Sequence, residues 1–386
     1  MFRLKQYLKM VLQNGILPAV YFCFCHAPVR KGSVIFADAH HAQMPFSMRR
    51  MYEAAKELER EGQCRTQLFI CDFAKLSFFS MILYLLRFMK QYATAEYVFI
   101  CDYYLPVSSC RKRRETTVVQ LWHSCGLMKK IAYDAGQDIP GNYKGDMFGN
   151  YSWLTLSAKV CVPVHARALR MDPARIRATG VSRTDYYFDQ AWNESCRARF
   201  YEQYPQAAGK KIVLWAPTFR GNAAMPQLEG LPEIRKMAQE LGEEWYLIIK
   251  AHPHIDAHQN VSNCTILTEE LLAVTDVLVT DYSSVLFDYL IYEKAAVLFA
   301  PDLQKYEEGR GFYLDYRKIP FPHAGTYQEL AEAVRTSEDW YAGHREEISG
   351  FRRKYVGACD GAATQRILNL AGLAAAHTDE TDRRSL

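Results

Sequence analysis

The sequence predicts an α/β protein made of two Rossmann-like domains. Three observations point there. Short apolar runs alternate with amphipathic ones in both halves of the chain, the pattern of parallel sheets covered by helices on both faces. The chain has 386 residues, 49% of them hydrophobic, which suits two cores better than one. Polar and mostly cationic residues cluster just past the apolar runs of the second half, at the strand edge where open α/β sheets bind ligands.

Taken in order, the first half reads as a strand at 33–37, a helix at 46–61, a strand at 66–71, a helix at 78–92, and strands at 97–101 and 117–121. Further strands are expected at 158–163 and 176–179. The second half repeats the scheme with strands at 211–215, 245–249, 264–267, 274–279 and 295–299. A helix is expected from 285. These elements place one domain at 1–190, a second at 191–375, and a polar, disordered tail at 376–386.

Composition narrows the function classes. Residues 1–150 hold 20 Lys and Arg against 12 Asp and Glu, whereas the remainder holds 27 against 31. The basic first half should face something anionic. Zinc-ligand, helix-turn-helix and RNA-binding signatures are missing, so a membrane surface or a phosphate-bearing acceptor fits better than nucleic acid. Eleven cysteines show no framework spacing and read as core residues of a reducing cytoplasm. The N-terminal stretch 1–31 carries basic residues around a short apolar run at 16–25, too short to span a bilayer and without a small-residue cleavage site. It reads as an interfacial anchor or as the opening strand and helix of the first domain. The apolar run at 78–88 reads as a buried helix; the basic tract Arg111-Lys112-Arg113-Arg114 leaves a membrane-facing patch as the other reading. There is no P-loop and no Gly-x-Gly-x-x-Gly, which argues against a kinase or a dehydrogenase. His40-His41 and His252-x-His254 have no third partner in sequence, and no Asp-x-Asp occurs, so no metal site is expected.

The chemistry is carried by tracts. Thr280-Asp281-Tyr282-Ser283-Ser284 joins a buried strand to a helix, and so puts hydroxyls and free N–H groups at a helix N-terminus. Such an end suits phosphate, although Ser and Thr are also ordinary caps. Val213 to Arg220 is a strand ending in Ala216-Pro217-Thr218-Phe219-Arg220. Leu247 to His254 is a strand ending in Lys250-Ala251-His252-Pro253-His254. A third strand leads into Pro301-Asp302, then Tyr306 and Arg310-Gly311-Phe312 with Asp315. Together these describe a site for an anionic, nucleotide-like ligand.

These tracts, with Gln120-Leu121-Trp122-His123 and Gly180-Val181-Ser182-Arg183-Thr184-Asp185, resemble those of the CDP-glycerol glycerophosphotransferase family, the teichoic-acid primases and polymerases. Six tracts match in order over residues 115–320. The chain departs from the family at Ser182, where Pro is usual, and at Ser124-Cys125-Gly126, where Gly-Thr-Pro is commoner. The resemblance implies a glycosyltransferase-B arrangement with the site in an interdomain cleft. It implies displacement at the β-phosphorus of CDP-glycerol or CDP-ribitol by a hydroxyl of a lipid-linked or glycan acceptor, with release of CMP and no cofactor. His123 is then the expected base, and His252 a ligand of the pyrophosphate or the leaving CMP. Thr280, Ser283, Ser284, Arg310 and Gly311 would hold the donor phosphates, Arg310 as a bidentate clamp. Pro217, Thr218, Arg220, Asp302 and Asp315 would take nucleotide and polyol. Lys129, Asp134, Arg183 and Asp185 are further candidates, with Asp134 and Asp138 as orienters of His123. A peripheral position on the cytoplasmic membrane face follows. A sugar transferase or epimerase of the same fold, or a membrane-bound scaffold with a degenerate site, are the competing readings; no oligomeric state is assigned.

Overall fold

The computed structural model describes residues 11–136, 138–139, 145–222 and 225–374, with the backbone alone at Asn222 and His254. The tail expected at 376–386 lies outside the described residues. The chain divides into two compact units. Unit 1 comprises Met1–His123, Ala132–Asp185 and Ala358–Leu386; unit 2 comprises Ser124–Ile131 and Tyr186–Gly357.

Unit 1 is built on a six-stranded parallel sheet of order β2-β1-β3-β4-β5-β6. Its strands are β1 (Arg30–Asp38), β2 (Arg65–Ile70), β3 (Ala95–Ile100), β4 (Thr117–Gln120), β5 (Trp153–Thr155) and β6 (Ile176–Arg177). Val34, Phe36, Phe99, Val119 and Leu121 from the sheet pack with Met48, Met51 and Ala55 of helix Phe46–Arg60. The last three recur at helical spacing, which is why that helix was legible.

Unit 2 has a five-stranded parallel sheet of order β10-β7-β11-β12-β13, and a small antiparallel pair, β8 with β9. The strands are β7 (Lys211–Trp215), β8 (Arg220–Asn222), β9 (Met225–Gln227), β10 (Trp245–Ile249), β11 (Val277–Thr280), β12 (Ala295–Phe299) and β13 (His323–Ala324). Strands β11 and β12 are buried along their whole length, as expected for central strands covered on both faces. Val213, Trp215, Val277, Val279, Val297 and Phe299 form the core with Ile234, Leu330 and Val334 from helices.

The units do not follow the expected boundary at 190. The chain leaves unit 1 after Asp185, and its last helix, Ala363–Ala371, belongs to unit 1 rather than to the second domain. The cause is local: the Asp185 carboxylate accepts the N–H groups of Ala363 (3.0 Å) and Thr364 (2.7 Å) at the start of that helix. Ile367, Leu368 and Ala371 then complete the unit 1 core. Segment Ser124–Ile131 likewise joins unit 2. Gly126 sits there at φ +67° so close to Phe287 that a Cβ would lie 2.3 Å from the ring.

Three expected elements differ. The strand at 158–163 is the first turn of helix Cys161–Leu169, where Pro163 is tolerated because first-turn N–H groups have no helical partner. The strand nearby is β5 instead. The strand at 264–267 is a loop, since the Asn263 side chain takes the Ile249 N–H (2.8 Å) that a ladder would use. The run at 274–279 enters the sheet only from Val277, because Leu271 to Thr275 turn on bonds to the Leu267 and Leu271 carbonyls.

Helix Phe78–Tyr92, expected to be buried, is buried only towards its C-terminal end at Phe88, Met89 and Tyr92. Phe78 and Phe79 are 74% and 77% exposed, and Leu83 is 57% exposed. Helix Leu17–Phe24 packs beside it through Tyr21 and Tyr92, with ring centroids 5.1 Å apart, and leaves Phe22 exposed. Among the described residues no helix is long and apolar enough to cross a membrane.

Ile367→Ala should therefore destabilise the protein by about 2–5 kcal/mol in urea unfolding, the usual cost of a large-to-small change in a packed core. A loss below about 1 kcal/mol would show that the last helix does not complete this core.

Candidate active site

The carboxyl edge of the unit 2 sheet is organised by one arginine. Arg220, just beyond the turn Ala216–Phe219 that follows β7, donates from Nε and Nη2 to both oxygens of Asp302 (2.8 Å each) and from Nη1 to Asp281 (2.9 Å) and the Thr218 carbonyl (2.5 Å). Asp281 follows β11 and Asp302 follows β12, so a single guanidinium ties three loops. The Asp281 carboxylate also accepts the N–H groups of Thr218 (2.8 Å) and Tyr282 (2.5 Å). Tyr282 and Tyr306 stack on each other at 4.2 Å, and the guanidinium lies 4.8 and 5.0 Å from their ring centroids. The Tyr282 hydroxyl donates to Asp302 (3.1 Å). Burial pushes the Asp302 carboxyl up, but Arg220 outweighs it and holds the group below its ordinary range. Burial opposes the charge on Arg220 too; Asp302 and Asp281 more than restore it.

Arg220 and Asp302, expected as nucleotide or polyol ligands, are thus paired with each other. Pro217 is buried in the same turn. Thr218 is buried, and its hydroxyl has no hydrogen-bond partner among the described residues. The Thr280 hydroxyl points into the sheet and donates to the Ala216 carbonyl (2.7 Å), joining the ends of β7 and β11. Ser283 and Ser284 are half-buried; the Ser283 hydroxyl accepts the Val285 N–H (3.4 Å), and Ser284 forms no side-chain cap bond. The helix they precede is short, Val285–Tyr289, followed by a single tight turn. His252 packs against Phe219 with ring centroids 4.6 Å apart, next to the Thr218–Arg220 turn.

Arg310 and Gly311 form a second part of this edge. Segment Met128–Ile131 runs antiparallel to Gly311–Tyr313. The bonds are Lys130 N–H to the Gly311 carbonyl (3.1 Å) and Tyr313 N–H to the Met128 carbonyl (2.9 Å). Arg310 Nε donates to the Lys130 carbonyl (3.0 Å), and Lys129 stands opposite Phe312. Gly311 has φ +74°, and a Cβ there would lie 3.2 Å from the Lys130 ammonium. Phe312 packs at 5.2 Å from Tyr282, which attaches this tract to the Arg220 cluster. Asp315 is exposed; it caps the turn Tyr316–Lys318 through the Arg317 N–H (3.2 Å) and pairs with Lys318.

In unit 1 the carboxyl edge presents His123. Trp122 adopts φ +60°, a costly conformation for a bulky residue, and its N–H is held by the buried Gln120 carboxamide (3.1 Å). His123 Nδ1 lies 3.2 Å from the Cys101 carbonyl, which can only accept, so Nδ1 carries the proton and Nε2 is the basic nitrogen. Asp102 Oδ2 is 3.9 Å from the same Nδ1. Trp122 stacks on His123 and meets His165 edge-on. Burial drives His165 down to about 4, so it is a neutral support. Arg183 is buried and donates to the His123 carbonyl and to Ser47 (3.2 Å), which makes it a brace for the His123 loop. Asp134 and Asp138, offered as orienters of His123 or of the acceptor, are engaged elsewhere: Asp134 pairs with Arg167 (3.1 Å), and Asp138 accepts the Ala132 N–H. Asp185 caps the last helix, as described above.

Sequence reasoning missed Asp102; it quoted Gln120, Asp281, Tyr282 and Tyr306 within its tracts but not the contacts they make. Asp102 was within reach of it, lying two residues past a strand on the edge already identified. The paired state of Arg220 was not, because its partners lie 61 and 82 residues away.

Arg220→Ala would strand the buried Asp281 and the half-buried Asp302 carboxylates, so it should cost about 3–5 kcal/mol in chemical unfolding, and Arg220→Lys should restore little, since an ammonium cannot make the forked contacts. Because the Asp302 carboxyl is depressed when folded, the contribution of its pairing is complete above about pH 4 and fades as pH falls through the folded value. Equal stability of wild type and Arg220→Ala would refute the assignment.

Residues 19–371 match the family model described as CDP-glycerol:poly(glycerophosphate) glycerophosphotransferase. The chain is 26% identical over 383 residues to a teichoic acid ribitol-phosphate primase of Bacillus spizizenii, covering 94% of this chain and 97% of that protein. It is 30% identical over 378 residues to a teichoic acid poly(ribitol-phosphate) polymerase of the same organism, covering 93% of this chain and 59% of that longer protein. The structure of the wall teichoic acid polymerase TagF superposes with a TM-score of 0.71 at 20% identity, over 96% of this chain and 98% of that one, and shows the same fold. The chain belongs to the CDP-glycerol:poly(glycerophosphate) glycerophosphotransferase family, the transferases that make the polyol-phosphate chains of teichoic acids.

Proposed function

We propose that the protein transfers glycerol phosphate or ribitol phosphate from the CDP-polyol to a hydroxyl of a lipid-linked or glycan acceptor, releasing CMP. The observation that carries this reading is His123, whose backbone is braced from two sides and whose protonated Nδ1 leaves a basic Nε2 at the carboxyl edge of the unit 1 sheet. Nε2 takes the proton of the acceptor hydroxyl while its oxygen attacks the β-phosphorus, and the bond to the CMP oxygen breaks. Arg310, His252, Ser283 and Ser284 at the unit 2 edge offset the charge on the phosphates, with the Arg220 pairs holding their loops in place. Crystals of a TagF variant were soaked with CDPG, which supports the donor class. No cofactor and no metal ion enter this mechanism.

The same reading places the protein on the cytoplasmic face of an anionic membrane. Helices Phe78–Tyr92 and Leu17–Phe24 pack together in unit 1 and leave Phe78, Phe79, Leu83 and Phe22 exposed, with Ile16 exposed just before the shorter helix. The basic tract adjoins it: Arg113 donates to the Cys25 (3.1 Å) and Ala27 (2.5 Å) carbonyls at the end of the shorter helix, and Arg111 and Arg114 are exposed. Apolar insertion with basic residues beside it is the usual design of an interfacial anchor.

Incubation with CDP-glycerol, CDP-ribitol and UDP-sugars in turn, with the released nucleotide measured, tests the reaction. CMP should appear from a CDP-polyol in EDTA as well as in Mg²⁺, and His123→Ala should slow it at least about 100-fold. UDP release from a UDP-sugar would favour the sugar-transferase alternative. Binding to vesicles should require anionic lipid and weaken with salt, and Phe78→Ser with Phe79→Ser should lower it more than about tenfold. Undiminished binding of that double variant would remove this surface as the anchor.

A further inference from the structure

We propose that Asp102 is the positioning residue of His123: it aligns the imidazole with Nδ1 protonated and takes up the positive charge that forms as the ring accepts the acceptor's proton. The proposal rests on the transfer reading for its catalytic meaning, and on geometry for its substance.

Strands β1, β3 and β4 lie side by side in register, Ala37 beside Ile100 and Ile100 beside Gln120. The next residues along, Asp38, Cys101 and Leu121, therefore stand in a row across the sheet edge, and Asp102 and His123 leave that row on adjacent loops. The Asp102 carboxylate is set from its own side by the Tyr103 N–H on Oδ1 (2.7 Å), which leaves Oδ2 towards His123 Nδ1 at 3.9 Å. Gln120 joins the two loops, donating from Nε2 to the Asp102 carbonyl (3.1 Å) and accepting the Trp122 N–H on Oε1. The spacing between carboxylate and ring is thereby held by a side chain that belongs to neither. At rest Nδ1–H serves the Cys101 carbonyl (3.2 Å), and 3.9 Å is too long for a full hydrogen bond. A positive ring would draw the carboxylate in, so the interaction strengthens as charge develops, which is the condition for it to assist the chemical step.

The other titratable and charged groups around the ring do not take this role. Asp38 is buried and spends Oδ1 on the N–H groups of His40 and His41 (2.8 Å each) and on His41 Nδ1 (2.9 Å). His40 Nε2 meets the Tyr103 carbonyl (3.1 Å). Cys101 is buried, and burial raises its thiol far above the ordinary range. His165 is neutral and contacts Trp122, and Arg183 binds the His123 main chain. Asp102 is the carboxylate that faces His123 Nδ1.

The His123–Asp102 pair is exposed by 46% and 39%, so solvent screens it and its effect should be moderate. In the full-length protein, Asp102→Asn should lower the CMP-release rate about tenfold. Asp102→Glu should recover part of it. A fall in rate with the His123 tautomer unchanged would mark Asp102 as merely structural and overturn the proposal, as would an unaltered rate. Imidazole ¹⁵N spectra give an arm independent of turnover. Wild-type His123 should be the Nδ1–H tautomer, and Asp102→Asn should increase the Nε2–H form. Nε2–H as the main tautomer in the wild type would overturn the proposal even if Asp102→Asn fails to fold. Failure of the wild type to release CMP from any CDP-polyol would refute the transfer reading instead, and the spectra would still decide the positioning.

Discussion

The unit 2 edge depends on the pairing of Arg220 with Asp281 and Asp302. One planar cation reaches the loops after three neighbouring strands at once, and two tyrosine rings shield it from water. Buried ion pairs bring little net stability, since desolvation offsets the Coulomb gain, but breaking one is costly. The pairing ties Asp281, just before Ser283 and Ser284, and Asp302, at the start of the helix Leu303–Gly309 that leads to Arg310, to one guanidinium. The charge nearest the centre of this edge is thereby spent on architecture. That leaves the outlying groups, Arg310 and His252 among them, as candidates for contact with an anionic ligand.

Unit 1 holds His123 by other means. Among the described residues no ion pair fixes the His123 main chain. A left-handed Trp122 turns the chain out of β4, and the conformational cost, of order 1–3 kcal/mol, is offset by bonds from Gln120 and Arg183 to the surrounding main chain. His165 supports Trp122 as a neutral ring.

Family membership and geometry speak to different questions. The family model matched over residues 19–371 establishes the class of reaction. The exposed apolar faces of helices Leu17–Phe24 and Phe78–Tyr92 belong to unit 1, which also carries the basic residues of the first half.

The sequence by itself determined the α/β class and most strands. Buried parallel strands such as β11 and β12 are continuous apolar runs, and helices such as Phe46–Arg60 repeat every three to four residues; both signals are local. It also placed His123, His252, Ser283, Ser284 and Arg310 at strand ends through short tracts. Only the tertiary structure decided which of those polar residues were already engaged. Arg220 was indistinguishable in sequence from a ligand-binding arginine until Asp281 and Asp302 came within hydrogen-bond distance. Asp185 looked like a site residue and proved to be a helix cap for a segment 178 residues away. Helix Phe78–Tyr92 was apolar enough to be buried, yet nothing in its own pattern said that no other element would cover Phe78 and Phe79. Local periodicity reports what an element is; what it touches is set by chain segments far away in sequence, and those contacts exist only after folding.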